Sequence, residues 1–319
     1  MVATEKLRAP AHAAMAFQRR VCSAVGHWLA DRGSPPPVPR IVSILLGCMM
    51  LASCREGVLD PHGPVGQAER VILGDATAIM LAVVIPVIIL TLVFAWWFRA
   101  GNRRATYRPE WEYAGRIELI IWAIPALVIV FLGGIAWIGS HDLDPRKSLD
   151  SATPPLEVEV VSLDWRWLFI YPRERIATVN YLVVPTGVPI HLRLTSSSVM
   201  NSFFIPQLGS QIYTMPGMTT QLNLQADKPG IYTGLSAQFS GPGFSDMRFT
   251  LRAESGEGFA GWVAQVRAGS GVLNEPILAQ LVRPTRAGGE LSYGSVPEDP
   301  FEVVAHGHMA TLWSPEEAL

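Results

Sequence analysis

Cysteine is almost absent from this sequence: the 319 residues hold three, at positions 22, 48 and 54, and none follows. Everything downstream of Cys54 is therefore without disulfides and without thiolate metal ligands. Charge is scarce as well, with Asp, Glu, Lys and Arg making up 16% of the chain and a formal net charge of -2. A nucleic-acid partner, which needs a basic face, finds no support. The seven histidines form no ligand set. His12 and His27 lie near the start, His62 and His141 flank apolar runs, His191 alternates with apolar residues and is expected to point outward, and His306 and His308 stand in a polar tail. No Ser-His-Asp set, phosphate loop or pair of catalytic acids can be assembled, and no internal repeat is visible.

What the chain has in abundance is apolar surface. Hydrophobic residues make up 49% of it and its mean hydropathy is positive, which directs attention to membrane segments. Ala76 to Phe98 is a run of 23 residues without a charge, and Leu119 to Ser140 a second run of 22. At about 1.5 Å per residue, each reaches across a hydrocarbon core of roughly 30 Å. Two transmembrane helices are expected, interrupted by Pro86 and Pro125 and carrying Trp96, Trp97, Trp122 and Trp137 near their ends, where indole rings suit the membrane interface. The connecting segment contains Arg99, Arg103, Arg104, Arg108 and Arg116 against Glu110 and Glu112, whereas the outer flanks have slightly more acids than bases. The loop, residues 99–118, is thus expected in the cytoplasm and both ends of the hairpin outside.

The first forty residues are basic and rich in Ala and Pro, as in a leader or a start placed too far upstream. Arg40 then precedes the apolar stretch Ile41 to Ser53, too short to span a bilayer but of signal-peptide length. It ends in Leu51-Ala52-Ser53-Cys54, which resembles the bacterial lipobox. Residues 1–53 are therefore expected to be removed and Cys54 to be the lipidated N-terminus, followed by an external segment, 54–75. Each acyl chain would add about 0.8 kcal/mol of anchoring per buried methylene.

Beyond Asp150 the pattern turns to short β-strands punctuated by Gly and Pro. Val158, Val160 and Ile170 surround the aromatic run Asp164-Trp165-Arg166-Trp167-Leu168-Phe169, and further strands are expected at 176–184, 189–195, 199–205, 219–224, 231–235 and 247–251. That spacing predicts an antiparallel β-sandwich over residues 150–254. Phe259, Trp262, Val263 and Val266 then fall at helical spacing, so an amphipathic helix is expected over 258–267. The Gly- and Pro-rich remainder from Ala268 reads as extended or disordered.

Two membrane helices followed by an external sandwich resemble subunit II of the haem-copper respiratory oxidases. Four ordered stretches carry the resemblance: Glu118 to Pro125, Trp165-Arg166-Trp167, Val199 to Pro206, and the loop Ser236 to Met247. It implies a cupredoxin-like sandwich. Cytochrome c oxidases of this family hold dinuclear copper on a loop of the form Cys-x-x-x-Cys-x-x-x-His-x-x-Met, with a backbone carbonyl inside it and an earlier His. Here the two Cys positions fall on Ser236 and Ser240, the loop His on Phe244, the Met on Met247, the carbonyl on Gln238 and the earlier His on Asn201. Hydroxyls are hard, weakly acidic donors and a phenyl ring is no donor at all, so one thioether and one carbonyl make no copper site.

The same substitutions resemble the quinol-oxidising, cytochrome bo-type branch, in which quinol delivers electrons inside the membrane. That resemblance implies a subunit of a proton-pumping complex that oxidises ubiquinol and reduces oxygen to water. The haems and copper would lie in a partner subunit I, further small membrane subunits would be present, cytochrome c would not be a partner, and the sandwich would face the periplasm of a Gram-negative inner membrane. With no metal to receive an electron, Trp165, Trp167, Tyr171, Tyr213 and Tyr232 are expected to pack in the core or an interface. Glu118 has two readings: by resemblance it marks the mouth of a proton path continuing in subunit I, and by position it is a helix-start acid favourable to the dipole. The rival functions are a copper-bearing cytochrome c oxidase subunit II, which the missing cysteines oppose, and a non-redox lipoprotein that assembles an oxidase.

Overall fold

The computed structural model describes residues 57–106, 108, 110–285, 289–296 and 299–306. Cys54, its lipobox and the signal stretch lie outside the described residues, as does His308.

Helix α1 spans Pro64–Trp97 and α2 spans Gly115–Asp142. Pro64 opens α1 at a position where its missing N–H costs nothing, and the helix then runs for 34 residues, about 50 Å. It begins twelve residues before the uncharged run because Gln67, Glu69, Arg70 and Asp75 tolerate helix, and only the charge-free portion was legible as a span. No residue in the most apolar 18-residue stretch of either helix is buried. Both helices are long and apolar enough to cross a membrane, and surface of that kind requires lipid or protein around it.

The strands form two sheets. The first has the order β11-β3-β2-β1-β5-β8 and the second β4-β10-β9-β6-β7, with β1 Leu156–Leu163, β2 Arg166–Tyr171, β3 Ile176–Val179, β4 Tyr181–Pro185, β5 Pro189–Ser196, β6 Asn201–Ile205, β7 Gly209–Thr214, β8 Thr220–Gln225, β9 Gly230–Ser236, β10 Arg248–Glu254 and β11 Leu291–Tyr293. The expected sandwich is present, with two pairs that are parallel, β1 with β5 and β4 with β10. The single strand expected over 176–184 is two. Asn180, at φ 62°, breaks it and passes the chain from one sheet to the other, its Oδ1 accepting the Trp167 N–H at 2.9 Å. Strand β7 was invisible in the sequence because its Ser210, Gln211 and Tyr213 interrupt any apolar alternation.

Between the sheets lies a core containing Trp167, Phe169, Phe203 and Phe249, with the Phe203 and Phe249 rings stacked 5.0 Å apart and Trp167 edge-on to Phe203 at 5.2 Å. Gly234 is required there: a Cβ would sit 2.0 Å from the Phe249 ring. Helix α3, Gly256–Arg267, is capped by Ser255, whose hydroxyl accepts the Gly258 N–H. It packs Trp262 against Tyr171 and Tyr181.

The tail departs from expectation. Instead of an extended stretch it supplies α4, Glu275–Val282, edge strand β11 and α5, Pro300–Ala305. Leu278, Leu281, Phe301 and Val304 close a second core over the outer face of the first sheet, against Val161, Leu168 and Ile170. Asn274 and Asp299 cap the two helices. Pro276 and Pro300 read as breakers in the sequence, yet each occupies the first turn, where proline initiates a helix.

Candidate functional site

The loop Ser236–Met247 joins antiparallel strands β9 and β10 at one end of the sandwich. The Ser236 N–H donates to the Met247 carbonyl at 3.1 Å and closes its base, and the Ala237 N–H donates to the Ser202 carbonyl at 3.0 Å and ties it to β6. Strand β6 places Asn201 beside it. The Ser236 hydroxyl lies 3.2 Å from Asn201 Oδ1 and 3.2 Å from the Gln238 carbonyl, and it shares its proton between these acceptors. Asn201 and Ser236 are both buried, and the Asn201 amide donates to the Val199 carbonyl at 3.2 Å.

Met247 is 1% exposed and belongs to the core between the sheets. Phe244 opens a 3-10 turn and meets the exposed Phe239 edge-on at 5.7 Å. Beneath the Gly-Pro-Gly turn sits Trp165. A Cβ at Gly243 would lie 2.3 Å from its ring and one at Gly241 would lie 3.2 Å away, so both glycines exist for close approach. Trp165 itself adopts φ 68°, a left-handed conformation that costs a bulky residue energy and is held here by that packing.

The structure thus brings Asn201, Ser236 and Gln238 together and buries Met247 next to them. As a donor set for a pair of soft copper ions these groups do not fit. An already engaged hydroxyl, an amide and a carbonyl are hard oxygen donors, Phe244 offers none, and the buried polar atoms without a partner include the Ser240 hydroxyl and the Trp165 indole N–H, the latter a donor only.

Trp167, Tyr171 and Tyr232 are buried, as expected of packing residues. Tyr171 is fixed by a reciprocal pair with Val183, donating to its carbonyl at 2.9 Å and accepting its N–H at 2.8 Å. Tyr213 departs from core packing: it is 43% exposed on β7. Glu118 lies in the first turn of α2, half-buried, with no side-chain hydrogen bond or ion pair among the described residues. His191 is half-buried and meets Asn223 Oδ1 at 2.9 Å. His306 pairs with Glu302 at 3.1 Å instead of standing free in a tail.

Sequence reasoning missed the joint between helices and sandwich. The His62 N–H donates to the Gln207 carbonyl at 2.7 Å, the Gly66 N–H to the Leu208 carbonyl at 3.0 Å, and the Asp227 N–H to the His62 carbonyl at 2.8 Å. The Ser210 N–H donates to Glu69 Oε1 at 2.9 Å and its hydroxyl donates to the same oxygen. Beyond α2, both the backbone N–H and the side-chain amide of Asn223 donate to the Pro145 carbonyl at 3.0 Å. Both helices are therefore fastened to neighbouring strands β7 and β8. The Pro-His-Gly-Pro sequence at 61–64 was the available signal.

Residues 160–253 match the family model described as cytochrome c oxidase subunit II, periplasmic domain. The chain is 46% identical over 269 residues to the cytochrome bo(3) ubiquinol oxidase subunit 2 of Pseudomonas aeruginosa, covering 84% of this chain and 80% of that one. It is 48% identical over 264 residues to the ubiquinol oxidase subunit 2 of Acetobacter aceti, covering 82% of each. Identity of this degree across helices, joint and sandwich together places the chain in the ubiquinol oxidase subunit 2 family, a branch of oxidase subunit II.

Proposed function

We infer that this chain is the copper-free subunit II of a terminal oxidase that takes electrons from ubiquinol, reduces oxygen to water and translocates protons. The observation that carries the reading is the loop: Asn201, Ser236, Ser240 and Phe244 stand where a copper-bearing subunit needs imidazoles and thiolates, and the hydroxyl of Ser236 is committed to Asn201 and Gln238. Without a metal relay the sandwich has no route for an electron from a soluble donor, and a membrane-dissolved quinol is the donor that needs none. The haems and catalytic copper belong to the partner subunit, and this chain supplies neither. Its own work is mechanical: α1 and α2 present apolar faces to lipid and partner, and the hydrogen bonds at His62, Gly66, Ser210 and Asn223 fix the sandwich over them.

Three further assignments belong to this reading. The sandwich faces the periplasm of a bacterial inner membrane, because the arginine-rich connection is retained on the cytoplasmic side. Cys54 carries the lipid anchor, on its lipobox-like context. Glu118, half-buried at the start of α2 and with no ion pair among the described residues, takes protons from the cytoplasm and passes them to subunit I.

Oxygen consumption by the purified complex tests the central claim, with ubiquinol and with reduced cytochrome c supplied in turn. Turnover with ubiquinol alone is expected, and turnover with cytochrome c alone would overturn the reading. A Glu118→Gln complex with undiminished turnover and pumping removes the proton-uptake assignment and leaves the rest standing.

A further inference from the structure

We propose that the turn joining α1 to the connecting loop is a binding site for the phosphate of an anionic phospholipid. A cavity of about 520 Å³ opens there, lined in part by Phe98, Arg99, Asn102, Arg108 and Trp111. It begins where the charge-free run of α1 ends at Phe98, which is the level of the lipid headgroups if both helices cross the membrane, and the proposal rests on that reading.

The turn is built around one side chain. The Asn102 amide donates to the Trp97 carbonyl at 2.6 Å, its backbone N–H donates to the Arg99 carbonyl at 2.9 Å, and its Oδ1 accepts the Arg104 N–H at 3.1 Å. Three bonds to one residue hold the cavity wall in a defined shape and occupy a helix-end carbonyl that would otherwise repel an anion. The guanidinium of Arg99 is steadied over the Trp96 ring, 5.3 Å from its centroid.

Electrostatics specifies the ligand. Among the described residues no carboxylate lies within ion-pairing distance of Arg99, Arg103, Arg104 or Arg108, and the acids of the loop, Glu110 and Glu112, do not line the cavity. Two arginine forks with no counter-charge among the described residues suit a phosphate, which guanidinium recognises with paired hydrogen bonds. The largest apolar surfaces in the lining are the rings of Phe98, 61% exposed, and Trp111, 62% exposed. Apolar rings beside a cationic pocket fit the glycerol and first methylenes of a lipid better than a free inorganic ion. Basic pockets at the ends of membrane helices are a recurrent place for anionic headgroups.

The test uses the whole oxidase complex, delipidated and then equilibrated with phosphatidylglycerol or phosphatidylcholine, with bound lipid counted by native mass spectrometry. We expect the wild-type complex to retain phosphatidylglycerol that an Arg99→Gln/Arg108→Gln complex loses, with occupancy falling about tenfold or more. Phosphatidylcholine retention should be the same in both. An Arg103→Gln/Arg104→Gln complex removes the same charge outside the cavity lining and should keep the lipid, so an equal loss from it would overturn the site. Displacement of the lipid by excess inorganic phosphate would identify a free-phosphate site and overturn the lipid assignment. Should the glutamine pair fail to assemble, Arg99→Lys/Arg108→Lys keeps the charge without the fork and is expected to bind more weakly; undiminished retention there overturns the proposal. A photoreactive phosphatidylcholine separates this proposal from the reading beneath it. Labelling of both helices with no anionic selectivity sinks the site alone, whereas absence of label on either helix sinks the membrane topology.

Discussion

Arg193 on β5 reaches Glu159 on the adjacent strand β1, Nη1 to Oε1 at 2.6 Å, and the same guanidinium holds Glu302 of α5 through Nη2 at 2.7 Å. One cation thus clamps α5 onto the outer face of the first sheet. The guanidinium also stacks on the helix, its Cζ 4.7 Å from the Phe301 ring centroid. Three carboxylates, Glu159, Asp299 and Glu302, crowd within 4.8 Å of one another at this point. Burial, then the charge of Asp299, pushes the Glu159 carboxyl up to about 7, with Glu302 adding to the effect and Arg193 opposing it.

The sign of the resulting pH dependence follows from linkage. An unfolded glutamate releases its proton near 4.5, whereas folded Glu159 keeps it to about 7. Between those values the folded state binds the extra proton, so stability falls as pH rises through the window; the contribution is complete below 4.5 and gone above 7. Hydrogen exchange of residues 300–305 in the intact complex, corrected for intrinsic rates, is expected to be faster at the alkaline end than at the acid end. Glu159→Gln should flatten the difference. Arg193→Met should cost on the order of 2 kcal/mol, less than a fully buried pair, because Arg193 is 37% exposed. Exchange that is independent of pH in the wild type would refute the raised carboxyl of Glu159.

A second expectation concerns the joint at Gly63. A Cβ there would lie 2.1 Å from the Gln225 carbonyl oxygen, a backbone atom that cannot step aside. Gly63→Ala must therefore lift the start of α1 off β8 and weaken the bonds at His62 and Gly66. The complex is expected to melt lower and assemble in reduced yield. Glu69→Gln, which keeps an acceptor for Ser210, should cost about 1 kcal/mol or less. A Gly63→Ala complex with wild-type melting would show that the joint bears no strain.

Tyr171 offers a cleaner measurement. Its hydroxyl is the partner of both the N–H and the carbonyl of Val183 in a fully buried setting, and burial also pushes its phenol well above the ordinary range, so it stays neutral at working pH. Tyr171→Phe leaves two buried backbone groups without that partner and is expected to cost about 1–3 kcal/mol with no change in quinol turnover. An unchanged melting temperature would contradict this.

The two apolar helices and the sandwich were legible because their signals are long: a charge-free run of 23 residues and strands punctuated at regular intervals. The correspondence of Ser236, Ser240, Phe244 and Met247 to a copper loop rests on the family resemblance, through the offsets those residues keep. What escaped was everything set by distant partners. Asn180 gives no local sign that it will turn a strand into a second sheet; its αL conformation is fixed by the Trp167 N–H, thirteen residues earlier in the chain. Helices α4 and α5 are short and proline-led, and their apolar residues acquire meaning only against the outer face of β1 and β2. Glu159 and Arg193 read as ordinary alternating strand charges, and only the return of α5 makes them a partly buried cluster with Glu302.

The loop itself supplies the last prediction. If Met247 is a packing residue, its shape matters and its sulfur does not. Leucine has nearly the same volume, so Met247→Leu should cost less than about 1.5 kcal/mol. Met247→Ala leaves a void between the sheets and should cost about 2–5 kcal/mol. Copper per haem and quinol turnover should be unchanged in the leucine variant, because the thioether binds nothing. Metal analysis of the wild-type and Met247→Leu complexes, side by side, checks both halves of the argument. A copper ion lost with the sulfur would mean that Met247 is a ligand, and the inference of a copper-free loop would fail with it.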